Sequence, residues 1–301
     1  MLGCIFIMRM MKRVTSYNEY GPMKRVAVRS PIAAFVSDEK ISNEWQKLRF
    51  HAKPNYNEAA KEHASFVRIL LESGASVIDL PASDNMTLDS IYTRDAALVS
   101  PHGLILCNMG RKSRSAEPKQ NTDILSQAGE CILGEIIAPG TLEGGDFIWL
   151  DHETCAVGLG PPTNSEGIAQ LKAILGAHVE VHTVPLPDPD HPDDVFHLMS
   201  MISPLDKDLA LIYRPLMPEI FMNWLHARDI EFVEVPQSEF TAMGCNVLAL
   251  GPREVLMLDK LPETKSRLEE AGCRVQTYKG DEISRKGEGG PTCLTRPLMR
   301  S

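Results

Sequence analysis

The chain has no C-x-x-C pair, no long hydrophobic run and no excess of positive charge, and each absence removes a class of function. Its 7 cysteines, at positions 4, 107, 131, 155, 245, 273 and 293, are scattered and odd in number. Neither a disulfide framework nor a zinc site carries that signature. Free thiols point to a reducing compartment, so a cytoplasmic protein is expected. The net charge of -9 turns away nucleic acid and anionic membranes, which are not drawn to an acidic surface. The apolar run inside MLGCIFIMRMMKRV is too short to cross a bilayer. No positive charge precedes it and no small-residue cleavage pattern comes after it. With Met8, Met10 and Met11 so close, residues 1–22 read as an extension from an early start codon. No Pro/Gly/Ser-rich linker divides the rest of the chain, so 23–301 is expected to be one domain. Hydrophobic content of 43% is ordinary for a chain that buries a real core.

What is present is a recurring order of elements rather than a repeated sequence. Ala96–Val99 and Leu104–Cys107 flank Ser-Pro-His-Gly, a hairpin signal. A helix over Thr122–Ala128 and a strand in GEIIAPG come next. The order then returns: Phe147–Leu150 and Cys155–Leu159 as a hairpin, a helix over Ser165–Leu175 closed by Gly176, and a strand over Val179–Val184. Leu209–Tyr213, a helix over Pro218–Arg228 and Glu231–Val235 make a third round. Asn246–Leu250, Val255–Leu258, a helix over Glu263–Ala271 and Arg274–Tyr278 make a fourth. The fifth is divided between the termini, with strands at Arg25–Arg29 and Thr292–Pro297, a helix over Asn57–Glu72 and a strand at Ser76–Leu80. Five such ββαβ units predict an α/β fold closed as a five-bladed αβ-propeller. Pairing of the C-terminal strand with the N-terminal one would remove its free edges.

Four stretches stand at strand starts in this reading: YTRDAAL with Asp95, TLEGGDFIWL with Glu143 and Asp146, VFHLMSMIS with His197, and GGPTCLTRPL with Cys293. In a ring of units these starts converge near the axis. Taken singly, each residue has a plain structural reading. Asp beside Gly is a turn former, a histidine on an apolar flank is a core histidine, and a lone Cys is a small hydrophobe. Together, a cysteine, a histidine and two carboxylates suit attack on a planar, cationic carbon, and a guanidinium is the obvious target. Asp95 and Glu143 would accept its N–H donors and fix its plane. The bound cation would lower the Cys293 pKa. The thiolate would then attack the central carbon to give a thiouronium intermediate. His197 would protonate the leaving amine and afterwards activate water. This chemistry calls for no metal and no cofactor. The partner it implies is a small guanidino molecule, and a homodimer is compatible with the sequence.

The EGGD at 143–146, the pair Arg94–Asp95, the pair His197–Leu198 and the terminal G-G-x-x-C at 289–293 resemble the guanidine-modifying superfamily, the penteins. That superfamily holds dimethylarginine dimethylaminohydrolases, arginine deiminases and amidinotransferases on a five-bladed αβ-propeller. The resemblance runs from Arg25 to the end. It implies Cys293 as nucleophile, His197 as acid/base and Glu143 as the catalytic glutamate. It also implies Asp95 as the holder of the guanidinium, Asp146 as a supporting carboxylate, and Arg94 and Arg114 at the substrate.

Two positions depart from the family pattern. Arginine deiminases and amidinotransferases carry an aspartate two residues after the histidine, where this chain has Met199. An apolar neighbour favours an N-alkylated guanidinium, hence a dimethylaminohydrolase-like reaction. Family members often place an arginine before the T-N of GLGPPTN, where this chain has Pro162. Arg114 is then left to hold a substrate carboxylate. The expected activity is therefore hydrolysis of a guanidino C–N bond. The alternatives are amidine transfer to an amine and a non-catalytic binding propeller. Three further features read as structural: His178 and His182 as a surface pair, Cys245 of GCN as packing, and DPDHPDD at 188–194 as a solvated loop or a lid.

Overall fold

The computed structural model describes residues 18–187 and 196–301, so the 188–194 segment and most of the 1–22 extension lie outside the described residues. Among the described residues, fifteen strands form five three-stranded sheets. They are β1 (Met23–Val28), β2 (Ser76–Asp79), β3 (Ala97–Ser100), β4 (Gly103–Leu106), β5 (Ile132–Glu135), β6 (Phe147–Trp149), β7 (Thr154–Leu159), β8 (Glu180–Pro185), β9 (Ile202–Asp206), β10 (Leu209–Ile212), β11 (Glu231–Glu234), β12 (Leu248–Gly251), β13 (Glu254–Leu258), β14 (Arg274–Tyr278) and β15 (Arg296–Arg300). In each sheet an antiparallel pair is followed by a helix and a third strand parallel to the second, as β6–β7–β8 illustrates. The fifth sheet takes β15 from one terminus and β1 and β2 from the other, with β15 antiparallel to β1.

Local chemistry fixes the helices that make these crossovers. Helix Ser165–Leu175 starts where the Asn164 side chain accepts the Gly167 N–H and ends where Gly176 adopts φ 85°, a left-handed cap that favours glycine. Its buried residues Ile168, Leu171 and Leu175 fall on one stripe. Helix Tyr56–Glu72 is capped in the same way by Asn55, which accepts the Glu58 N–H.

Burial grades outward across every sheet. The first strands are almost wholly buried, as in β6, β9 and β12, while the third strands β2, β5 and β11 are largely exposed or half-buried. First strands meet one another between sheets. β15 packs on β3 and β9 on β12, and the Trp149 indole N–H of β6 donates to the Val99 carbonyl of β3 at 2.8 Å.

Several boundaries differ from the sequence reading. The helix expected over Thr122–Ala128 covers Glu117–Gln127, with proline in its first turn. The third unit has a first strand of its own, β9, with His197 ahead of it. Two short helices, Pro31–Ala34 and Asp38–Glu44, stand where none was expected. The strand expected over Thr292–Pro297 begins only at Arg296. Residues 292–295 turn instead, Leu294 N–H donating to Gly290 and Thr295 N–H to Thr292. Cys293 therefore sits on a turn rather than in the ladder, which leaves its thiol free of sheet geometry. No helix among the described residues is long and apolar enough to cross a membrane.

Candidate active site

The turns that precede β3, β6, β9 and β15 bring together residues nearly 200 positions apart. Glu143 leads into the turn 144–146 ahead of β6. Its Oε1 accepts the Gly110 N–H at 2.9 Å and its Oε2 lies 2.8 Å from His197 Nε2. Asp95 is buried, accepting the Gly145 N–H on Oδ1 at 3.0 Å and Arg114 Nη1 on Oδ2 at 2.7 Å. Each of its oxygens keeps a second lone-pair direction. Ligand-capable atoms of Asp95, Glu143 and His197 lie within 4.8 Å of one another. That spacing could seat a metal ion, and it equally matches the N–H fork of a planar cation.

Gly145 shows why this turn is glycine. A Cβ there would stand 2.7 Å from the His197 ring and 2.9 Å from Asp95 Oδ1. Any side chain would wedge the two catalytic candidates apart.

Asp146 lies fully buried behind the pair. One oxygen accepts the Leu198 N–H at 2.9 Å and the other the Thr163 hydroxyl at 2.6 Å, while Thr163 Oγ1 accepts the Glu143 N–H at 3.1 Å. Asp146 thus ties the turn carrying His197 to the one carrying Glu143. Both of its oxygens are hydrogen-bonded within its own chain.

Cys293 is clamped from the neighbouring unit. Asn246 Nδ2 donates to its Sγ at 3.2 Å, while Asn246 Oδ1 accepts the Thr292 N–H at 3.1 Å. Gly290 makes room for that amide, since a Cβ there would lie 2.5 Å from it. The Cys293 carbonyl accepts the Arg94 N–H at 3.2 Å. This links the Cys293 turn to the turn carrying Asp95.

Charge is concentrated here. Burial lowers the His197 pKa, but Asp146, Asp95 and Glu143 together outweigh it and lift it to about 10. Burial opposes the Asp95 charge, yet His197, Arg114 and the Gly145 N–H hold its pKa below the usual carboxylate range. Burial lifts Asp146 to about 6. Burial and the Asp95 charge push the Cys293 thiol up to about 11, against the Asn246 N–H. By themselves, these groups favour a neutral thiol at Cys293 and a protonated imidazole at His197.

The two arginines occupy different surroundings from those expected. Arg114 is buried, with Nε and Nη2 on Glu117, Nη2 also on the Tyr92 carbonyl, and Nη1 on Asp95. One N–H direction remains, so its geometry supports Asp95 more than a substrate carboxylate. Arg94 points away from the site, pairing with Glu19 at 3.2 Å and donating Nε–H to the Thr292 carbonyl. Met199 is packed in the apolar cluster of Ile148, Leu198 and Met201. Pro162 sits against Gly110, the donor to Glu143.

Sequence reasoning passed over three residues. Asn246 was hidden behind Cys245, which is buried as packing. Thr163 carried its signal in the T-N after Pro162. Asp89 is buried, its Oδ2 has no hydrogen-bond partner among the described residues, and Arg111 Nη1 stands 3.7 Å away. Burial raises its pKa, and the charges of Asp95 and Glu143 act in the same direction. Its only signal was another acid one turn before Asp95.

A family model described as N,N dimethylarginine dimethylhydrolase, eukaryotic, matches residues 32–300. The chain belongs to that family. It is thereby a member of the guanidine-modifying superfamily. It is 27% identical to the N(G),N(G)-dimethylarginine dimethylaminohydrolase of Streptomyces coelicolor, over 91% of this chain and 96% of that protein. It is also 27% identical to the uncharacterized protein YkgA of Bacillus subtilis, over 94% of both. Among solved structures it resembles the Pseudomonas aeruginosa dimethylarginine dimethylaminohydrolase complexed with citrulline, with TM-score 0.74 and 24% identity over 92% of this chain and 99% of that one. It also resembles SxtG, an amidinotransferase of Microseira wollei, with TM-score 0.76 and 19% identity over 95% and 97%. At those identities the two structures establish a shared fold.

Proposed function

We propose that this protein is a cysteine-dependent hydrolase of a guanidino compound derived from arginine, acting from one end of a single closed propeller over residues 23–301. The observation that carries the reading is the convergence of Asp95, Glu143 and His197 within 4.8 Å, with a thiol, Cys293, whose pKa is raised by burial and by the Asp95 charge. A guanidinium entering between Asp95 and Glu143 replaces the repulsion that keeps Cys293 protonated with attraction, so substrate itself favours the thiolate. The thiolate forms an S–C bond to the guanidino carbon. The C–N bond to the leaving amine breaks as His197 gives that nitrogen its proton. Water then attacks the amidino-thioether carbon, His197 takes up a water proton, and the C–S bond breaks to release the ureido product and the thiolate. Glu143 holds the His197 ring, and Asp146 with Thr163 holds the turns on which both stand.

Incubation of the wild type and Cys293→Ser with arginine, methylated arginines and carboxylate-free guanidines tests this, with ureido product and released amine both assayed. Alkylamine release from a methylated arginine by wild type alone is expected. Amidine transfer seen only with an added amine would replace the hydrolase with a transferase. No turnover, together with a thiol that guanidino ligands do not protect from iodoacetamide, would overturn the enzymatic reading.

A further inference from the structure

The side of the fold behind Cys293 buries an excess of positive charge. Arg94, Arg296 and Arg300 are 1%, 5% and 3% exposed, and Glu19, at 6%, is the carboxylate among them. Glu19 pairs with Arg94. The other two guanidiniums reach only carbonyls: Arg296 Nη1 donates to Arg94 and Ala97, and Arg300 Nη1 to Gly21 and Ala249. Carbonyls satisfy N–H groups without cancelling charge. Among the described residues, three guanidiniums thus share one adjacent carboxylate in a place where isolated ions are costly.

These side chains also carry unused donors. Arg94 Nη2, Arg296 Nε, Arg300 Nε and Arg300 Nη2 have no hydrogen-bond partner among the described residues. Buried guanidinium N–H groups are rarely left so, and four together call for a physical reason. Next to them lies a cavity of about 20 Å³ lined by Glu19, Val99, Phe147, Trp149, Arg296 and Arg300 among others. It is large enough for one small occupant. Its walls come from β3, β6, β15 and the Asn18–Glu19 segment ahead of β1.

We propose that this cavity is a binding site for a single small monovalent anion of chloride size, held by Arg296 and Arg300 and offset from Glu19. A water molecule would meet the unused donors but leave the charge. A dianion would set two negative charges against the Glu19 carboxylate. One monovalent anion supplies acceptors and brings the group of three arginines and one glutamate to within a single charge of neutral. The pKa directions agree, since burial and the Arg94 charge bring Arg296 down to about 9, and burial with Arg94 brings Arg300 to about 10. A resident anion would reverse both.

The test is thermal unfolding of the full chain at constant ionic strength, with sodium gluconate replaced stepwise by sodium chloride. A saturable rise is expected, about 5 °C at a hundredfold excess over Kd, and it should vanish in Arg300→Met. An identical Tm in gluconate and chloride would overturn the proposal. Should Arg300→Met fail to fold, crystals grown in sodium bromide decide. A bromine anomalous peak within hydrogen-bonding distance of Arg296 and Arg300 supports the site. Bromide found only elsewhere, or ordered water in the cavity, refutes it.

Discussion

The two sides of the Cys293 turn bury charge of opposite sign. On the side of the site, Asp95, Glu143 and Asp146 surround one imidazole, with Arg114 shared between Asp95 and Glu117. Behind the turn, Arg94, Arg296 and Arg300 gather around one carboxylate, Glu19. Neither cluster is neutral by itself, and both sit where desolvation is expensive. The acidic end is incomplete without a cation, which is what a guanidinium substrate brings. The basic end stands in the mirror situation. A stable fold tolerates such imbalance only when something returns for it, so excess buried charge is here a marker of what is bound.

Removing the nucleophile should break the acidic end most. Cys293→Ser is expected to lower turnover on the order of 10⁴-fold or more, with an unchanged unfolding midpoint. A residual rate near wild type would move the covalent chemistry elsewhere. The matching test of the basic end is Glu19→Gln. Taking away that carboxylate leaves three guanidiniums without a counter-charge, at a cost of roughly 3–5 kcal/mol. Urea titration at low salt reads this directly. A loss well below that range would mean that the carbonyls of Gly21, Ala97 and Ala249 already suffice. Next in size is Glu143→Gln. It keeps the shape beside His197 but removes a charge that holds the imidazole pKa up, so kcat should fall about 10²- to 10³-fold. The His197 titration, followed by NMR, should move down from about 10. A histidine that titrates unchanged would show that Asp146 and Asp95 alone set it.

Legibility in the sequence divides along the same line. The units could be read because apolar runs, hairpin turns and capped helices are local signals, and the termini had only each other to pair with. Cys293, His197, Glu143 and Asp95 stood out because each lies in a short stretch at a strand start. Pairing at a distance stayed hidden. Arg94 and Arg114 look alike beside a site, yet one is taken by Glu19, 75 residues before it, and the other by Asp95 and Glu117. No periodicity records such a choice. The start of β15 was misplaced for a related reason. Thr292–Thr295 have strand-like composition, but the Gly290 carbonyl and the Asn246 amide draw them into a turn.

Asn246 offers the finest test of the acidic end, because it is a neutral residue among charged ones. Its amide donates to Cys293 Sγ and accepts from the Thr292 N–H, so it both positions the turn and favours the thiolate. Asn246→Ala should lower kcat by about tenfold, the worth of one hydrogen bond to a charged acceptor. Loss of positioning alone would reduce the rate equally at all pH. Loss of the donor raises a thiol pKa already near 11, so the deficit should shrink as pH rises toward that value. Iodoacetamide alkylation from pH 8 to 11 separates the two, since it reads the thiolate fraction without substrate. A displaced alkylation curve assigns Asn246 to the charge of the nucleophile. A superimposable curve with reduced kcat leaves it only the geometry, and the carboxylates then govern the thiol by themselves.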